Sequence, residues 1–409
     1  MYLYNKSVWK YIYIISMALA YTTKYADIFL GFGLQLVIGL SWILLAVFKL
    51  EKNRGIVAGV NRQDLLFYVK IYFVPKLIIH MYTILLMIFG KVDWNIFSTN
   101  LTVYVPTLLV IVSIYLFGTK ALVYNCYALI ISWILSVGVS FICKGPYMFV
   151  FAIKQAYFGY VDINYSNYLE LHDLVLALGY IVIYYYISNK GKMTKKAMII
   201  LTSVLLIMLL GFKRIAILGV VGVMLLSFLL NRIGERKRYK ICIAFGCIGI
   251  ALCYGFIFIM SQGTSFFEML NKIGINPMGR NYYYMAIMKY AEFDVGFWGI
   301  GRNAVTHILN TELAYLRVGG VHSDIIKMYV ENGFIMFGLW LWFNLIKIPQ
   351  LIKKRFSVKA AIVYFMITVY TFTLYLTDNV EIYFICQILS MIIPMTYIQK
   401  EKEIERAKQ

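Results

Sequence analysis

The stretch Gly299–Gly338 reads GIGRNAVTHILNTELAYLRVGGVHSDIIKMYVENGFIMFG, a glycine-rich polar loop that runs into an apolar segment long enough for a membrane helix. His322 stands at the join. Ser323 is the expected N-cap, since its hydroxyl can accept from an amide of the first turn, and Asp324 suits the positive end of the helix dipole. The same dipole disfavours an imidazolium, so a neutral imidazole able to take a proton is expected at His322. Two readings stand side by side: a general base at the membrane surface, or an interfacial histidine with no chemistry.

The rest of the chain sets this stretch in a membrane. Of 409 residues, 62% are hydrophobic and 14% charged, and the mean hydropathy is +0.75. Long uncharged apolar runs recur throughout, which marks an all-α, polytopic membrane protein. Continuous apolarity, in place of alternation, argues against a β-barrel. The first run has no small-residue cleavage site behind it and reads as a retained helix. A net charge of +20 would point to nucleic acid in a soluble protein. Here the cations lie in short loops between apolar runs, so no nucleic-acid partner is expected. The six cysteines, Cys126, Cys143, Cys242, Cys247, Cys253 and Cys386, form no metal-ligand pattern.

Twelve spans are expected, at roughly 8–23, 26–48, 65–90, 101–117, 121–142, 171–188, 197–211, 215–231, 241–260, 324–346, 360–376 and 380–398. With both termini cytoplasmic, Lys and Arg fall in every alternate loop, for example Lys190–Lys196, Arg232–Lys240 and Lys347–Lys359. The whole chain, 1–409, then reads as one integral membrane domain. Two large segments face outward: Lys144–Glu170, rich in Tyr and Phe, and residues 261–323, the longest polar stretch. Long loops more often carry function than linkage.

Outward cations break the orientation rule and are therefore informative. Lys213 and Arg214 sit at the tight turn between the seventh and eighth spans, beside hydrocarbon, either as functional groups or snorkelling to lipid phosphates. Arg280 precedes Tyr282-Tyr283-Tyr284, where a guanidinium suits phosphate oxygens and the rings suit sugar faces or an interfacial belt. Arg302 and Arg317 either bind an anion or are solvated, and Glu292, Asp294 and Glu312 read as a solvated face. Glu331 lies inside an apolar helix, and an ion pair with an outer-loop Arg or with Lys327 is expected there. His172, in Glu170-Leu-His172-Asp173, is a second acid/His cluster on the same side, while His80 and His307 read as structural. There is no Asp-x-Asp, no GxxxxGK[ST] and no His-Glu-x-x-His. A substrate must arrive already activated, on a lipid.

Three pieces in order resemble the O-antigen polymerase/O-antigen ligase superfamily of membrane glycosyltransferases, and the chain looks Wzy-like. They are Gly211–Gly219 around Arg214; Arg280 with Phe297-Trp-Gly299-Ile-Gly301-Arg-Asn303 after it; and His322-Ser323 with Glu331, Gly333 and Gly338. The match covers about residues 200–340, and the family usually spaces its last two glycines more closely. The resemblance implies a GT-C-like membrane fold. It implies an inverting, metal-independent and cofactor-free polymerisation of polyprenyl-diphosphate-linked oligosaccharide units into a surface polysaccharide (O-antigen, capsule or exopolysaccharide). In it His322 would be the catalytic base, Arg214 and Arg280 would bind the diphosphate, and Lys213, Arg302, Glu331 and His172 would support them. Membrane lipids, a flippase and a chain-length regulator are the implied partners, and the outer face of the cytoplasmic membrane the implied location. The rivals are a ligase passing finished glycan to another acceptor and a non-enzymatic transporter of the same lipid-linked units. A transporter would show broken helices and buried charge at mid-membrane.

Overall fold

The computed structural model describes residues 6–22, 32–52, 60–92, 101–147, 150–151, 172–189, 195–210, 213–263, 265–272, 279–316 and 320–408. These form α1 (Lys6–Tyr21), α2 (Phe32–Lys52), α3 (Arg62–Tyr68), α4 (Val74–Ile88), α5 (Val105–Phe117), α6 (Lys120–Lys144), α7 (His172–Ser188), α8 (Lys195–Leu210) and α9 (Arg214–Asn231). They continue as α10 (Glu235–Ser261), α11 (Ser265–Lys272), α12 (Arg280–Met288), α13 (Ala304–Asn310), α14 (Asp324–Trp342), α15 (Ile348–Arg355), α16 (Val358–Tyr375) and α17 (Phe384–Arg406). One-turn π segments, Val69–Phe73 and Phe343–Lys347, carry α3 into α4 and α14 into α15.

Six of the resulting helices are long and apolar enough to cross a membrane: Arg62–Ile88, Lys120–Val139, Arg214–Asn231, Glu235–Ser261, Asp324–Arg355 and Val358–Tyr375. Val8–Tyr21, Gly33–Phe48, Val105–Phe117 and Asp173–Ser188 are shorter apolar helices. Large apolar side chains such as Leu44, Phe48, Leu252 and Leu339 are exposed on them, as lipid-facing surfaces require. The protein is an all-helical, polytopic membrane protein. The last expected span, drawn from residue 380, begins later. Residues Val380–Ile382 form a 3₁₀ turn and the helix starts at Phe384.

Local chemistry explains the boundaries. Asn61 caps α3 through the Asp64 amide at 2.8 Å, and Ser357 caps α16 through the Ala360 amide at 2.9 Å. Pro75 and Pro106 sit in the first turns of α4 and α5, where no amide donor is needed.

The chain divides into two compact units. The first comprises Met1–Val69, Thr102–Arg232 and Ile382–Gln409. Several of its buried polar groups are paired: Tyr13 Oη lies 2.6 Å from Ser113 Oγ and receives Asn125 Nδ2 at 3.0 Å. The Tyr21 hydroxyl donates to Asn125 Oδ1. Lys402 Nζ meets the buried Asp64 carboxylate at 2.5 Å.

The second unit comprises Lys70–Leu101 and Ile233–Glu381, and it holds His322. In it α10 packs on α14 and α16, and α12, α13 and α4 pack on α14. Residues 261–323, read as a polar loop, contain α11, α12 and α13. They bury Tyr284, Ile287, Val305, Ile308 and Leu309 with Ile325, Ile326 and Tyr329 of α14. The helical spacing of those apolar positions carries that core.

Candidate functional site

His322 occupies the left-handed region, with φ 55°, a conformation that costs a non-glycine residue about 1–2 kcal/mol. Side chains from two other segments hold its backbone there. Its amide donates to Asn379 Oδ1 at 2.9 Å, and its carbonyl accepts from the Tyr284 hydroxyl at 2.8 Å. Such strain persists only where the surroundings over-determine it. The imidazole is 36% exposed, and its Nδ1 lies 4.0 Å from Oδ1 of Asp378, whose own side chain is buried. At that distance the Asp378 carboxylate makes no hydrogen bond to the ring and acts on Nδ1 as a nearby charge. The Tyr283 ring flanks the imidazole, with centroids 6.3 Å apart.

The helix start is as expected. Ser323 caps α14 by accepting from the Ile326 amide at 3.3 Å. Asp324 takes a second role as well, since its Oδ2 accepts from the Glu381 amide at 2.7 Å while its own amide donates to the Asp378 carbonyl at 3.3 Å. The turn 378–381 is thus stitched across the first turn of α14.

The glycines of the motif meet each other. Gly333, with φ 73° and ψ 178°, breaks α14. The freed backbone groups are taken up by the loop from Phe297 to Gly301. Ile300 N donates to Val330 O at 3.0 Å, Gly301 N to Glu331 O at 2.9 Å, and Phe334 N to Phe297 O at 2.8 Å. A Cβ on Gly333 would lie 2.2 Å from the Trp298 carbonyl carbon, and one on Gly299 would lie 2.5 Å from Gly333 N. Only glycine allows this approach. Gly338, the displaced glycine, makes room for the Tyr254 hydroxyl, which donates to Phe334 O at 2.7 Å.

Beneath His322 lies a charge cluster. Arg302 follows the docked loop, and its guanidinium donates to Glu381 Oε1 at 2.8 Å. Lys327 Nζ reaches Glu381 Oε2 at 3.4 Å. Burial alone would raise the Glu381 carboxyl, but Arg302, Lys327 and Lys76 outweigh it and hold the group at about 2. Arg302 is therefore not the solvated or anion-binding loop cation expected from sequence, because it is buried and paired internally. Lys327 also departs from expectation by pairing with Glu381 in place of Glu331. Glu331 is buried, makes no ion pair among the described residues, and its Oε1 has no hydrogen-bond partner.

Arg280 opens α12 after the left-handed Gly279 and is half-buried. Tyr283 and Tyr284, three and four residues on, share its face and are the residues that touch His322. Burial raises the Tyr284 phenol, and the Arg280 charge opposes that shift. Arg280 and His322 are thus brought to one end of the second unit. Lys213 and Arg214 belong to the first unit, at the N-cap and first residue of α9, with Arg214 exposed. His172 begins α7, also in the first unit, and its side chain lies outside the described residues. Arg317, Gly211 and most of Lys144–Glu170 lie outside them too. His80 Nδ1 sits 3.2 Å from the Lys76 carbonyl, a helical self-contact that fits a structural residue. Glu312 accepts from the Tyr290 hydroxyl at 2.6 Å and pushes that phenol up to about 12.

Sequence reasoning missed Asp378, Asn379 and Glu381. The available signal was Thr377-Asp378-Asn379-Val380-Glu381, a polar break with two acids between two apolar runs. Among the described residues no cluster of three or more His, Cys, Asp and Glu side chains could hold a metal ion. Compared with family models, curated proteins and solved structures, the chain matches none.

Proposed function

We propose that the chain is a membrane glycosyltransferase that polymerises polyprenyl-diphosphate-linked oligosaccharide units into a surface polysaccharide at the outer face of the cytoplasmic membrane. The observation that carries this reading is the short α12. It sets Arg280 one turn from the two tyrosines that contact His322, while Asp378 faces His322 Nδ1 at 4.0 Å. A proton acceptor and a phosphate-type cation then share one site, next to a membrane.

In this reading His322 Nε2 takes the proton of an acceptor sugar hydroxyl, and the alkoxide oxygen bonds to the donor's anomeric carbon. The bond from that carbon to the diphosphate oxygen breaks, and the lipid diphosphate leaves with its electron pair. Arg280 offsets its charge. Twelve spans, cytoplasmic termini and an outward 261–323 segment in a GT-C-like arrangement complete the proposal. The orientation rests on the Lys/Arg bias of the loops.

The test uses a strain lacking the chain, complemented with wild type, His322→Ala, Arg280→Ala or Arg214→Ala at matched membrane levels. Polymer length and single lipid-linked units are measured separately. Accumulation of unpolymerised units that still reach the outer leaflet supports the polymerase. Long polymer left on lipid identifies the ligase of the same superfamily, and normal polymer from all three variants rejects the site.

A second reading, a transporter of the same lipid-linked units, is favoured by one observation: α14 is broken at Gly333 and carries buried Glu331 beside the break and half-buried Lys327 a turn and a half before it. Units retained on the inner leaflet in the variants would select it.

A further inference from the structure

We propose that Glu381 is the positioning residue of this site, and that Arg302 and Lys327 hold it so that Asp378 and Asn379 stay against His322. The proposal rests on the reading of His322 as the base.

Glu381 is gripped from three directions. Its Oε1 accepts from Arg302 at 2.8 Å, its Oε2 from Lys327 at 3.4 Å, and its amide donates to Asp324 Oδ2 at 2.7 Å. Arg302 is itself anchored, because its amide donates to Thr83 Oγ1 at 3.1 Å and the two residues before it bond to the broken helix. Two positions before Glu381, Asn379 receives the His322 amide. One more position back, Asp378 faces the imidazole and also accepts the Asn379 amide at 2.9 Å. The 3₁₀ turn Val380–Ile382 starts inside this segment, so displacing the Glu381 carboxylate displaces the clamp.

The geometry leaves little slack. At 4.0 Å the Asp378–His322 contact is at the limit of an ion pair and beyond a hydrogen bond, and a small shift of the turn abolishes it. Stability alone is weak grounds for the cluster, because buried ion pairs often contribute no more than well-packed apolar residues of the same volume. A role in fixing the base explains why they are there.

The experiment uses the full chain in membranes and diethyl pyrocarbonate, which acylates accessible neutral imidazoles. The four histidines supply the controls. His307 is exposed and serves as the reference, and His80 is buried and reports unfolding. Acylation of each is counted by peptide mass spectrometry in wild type, Glu381→Gln, Arg302→Gln and the double variant. The expected result is a change of about threefold or more in the His322 to His307 ratio in each single variant, with His80 still protected. The double variant should go no further than either single one, as for residues acting in one chain. In the polymerisation assay kcat falls about tenfold while the donor KM moves less than about twofold, since orientation of the base acts on the chemical step. A ratio within about 1.5-fold of wild type, or additive effects in the double variant, overturns the proposal. If a Gln variant exposes His80, Glu381→Asp, which keeps the charge and withdraws it by one methylene, is judged by the same ratio. A wild type that makes no polymer sinks the proposed function alone, because the acylation ratio still decides the positioning role.

Discussion

Gly299 and Gly333 meet backbone to backbone: a Cβ on Gly299 would lie 2.5 Å from Gly333 N, and a Cβ on Gly333 would lie 2.5 Å from Gly299 N. Both residues have positive φ, 85° and 73°. Gly299→Ala or Gly333→Ala therefore combines a left-handed penalty of about 1–2 kcal/mol with overpacking of about 1–3 kcal/mol. Either variant should lower the thermal unfolding midpoint in detergent sharply, whereas Gly222→Ala in α9, with open space around it, should not. Equal midpoints for all three would rule out the docked loop.

Asp378→Asn keeps the shape of the side chain and removes its charge from His322 Nδ1. Polymer formation should fall about 10–100-fold with no loss of membrane level, and His322→Ala should cost about 100-fold or more, in the range of a general base. Asn379→Ala removes the acceptor that holds His322 in the left-handed region and should cost about 1–3 kcal/mol of stability as well as activity. Full activity in Asp378→Asn would show that the carboxylate has no part in orienting the ring.

Arg302 and Arg280 should separate by phenotype. Arg302→Ala strands the half-buried Glu381 carboxylate, a loss below the ~3–5 kcal/mol of a fully buried broken pair, since Lys327 remains to share it. Arg280→Ala removes a half-buried cation that makes no ion pair among the described residues, so the folded yield should stay near wild type while donor binding weakens. Denaturation curves and donor titrations on the two variants distinguish these outcomes.

Glu381 sets an acid limit on stability. Its carboxyl is held at about 2, below the ordinary 4.5, chiefly by Arg302 and Lys327 acting against burial. The unfolded chain binds the proton first as pH falls, so this contribution is complete above about 4.5 and is lost between there and about 2. Glu381→Gln should flatten the stability profile across that window and lower the plateau above it. A profile as steep as that of wild type would place the titrating group elsewhere.

The apolar helices were legible because their signals are local, whereas the three short helices within 261–323 were not. An apolar run needs only its own residues to be recognised as membrane-compatible, and Ser323 before Asp324-Ile-Ile announces a helix start by the amide it can accept from. The Gly299-Ile-Gly301 and Glu331-Asn-Gly333 motifs were visible as motifs, but their meeting was not, because the hydrogen bonds between them join residues thirty apart. Arg302 was misread for the same reason. Its chemistry admits solvation or an anion, and the choice was made by Glu381, 79 positions away.

The membrane class, the long apolar helices and the candidacy of His322 were legible in sequence alone, since hydropathy, capping and side-chain chemistry act over one or two turns. Tertiary structure alone decided that His322 faces Asp378, that Lys327 turns to Glu381 and away from Glu331, and that a broken helix accepts a loop at Gly333. Those outcomes depend on which distant charges and backbone amides packing brings within bonding distance, and burial raises the cost of leaving such groups unpaired.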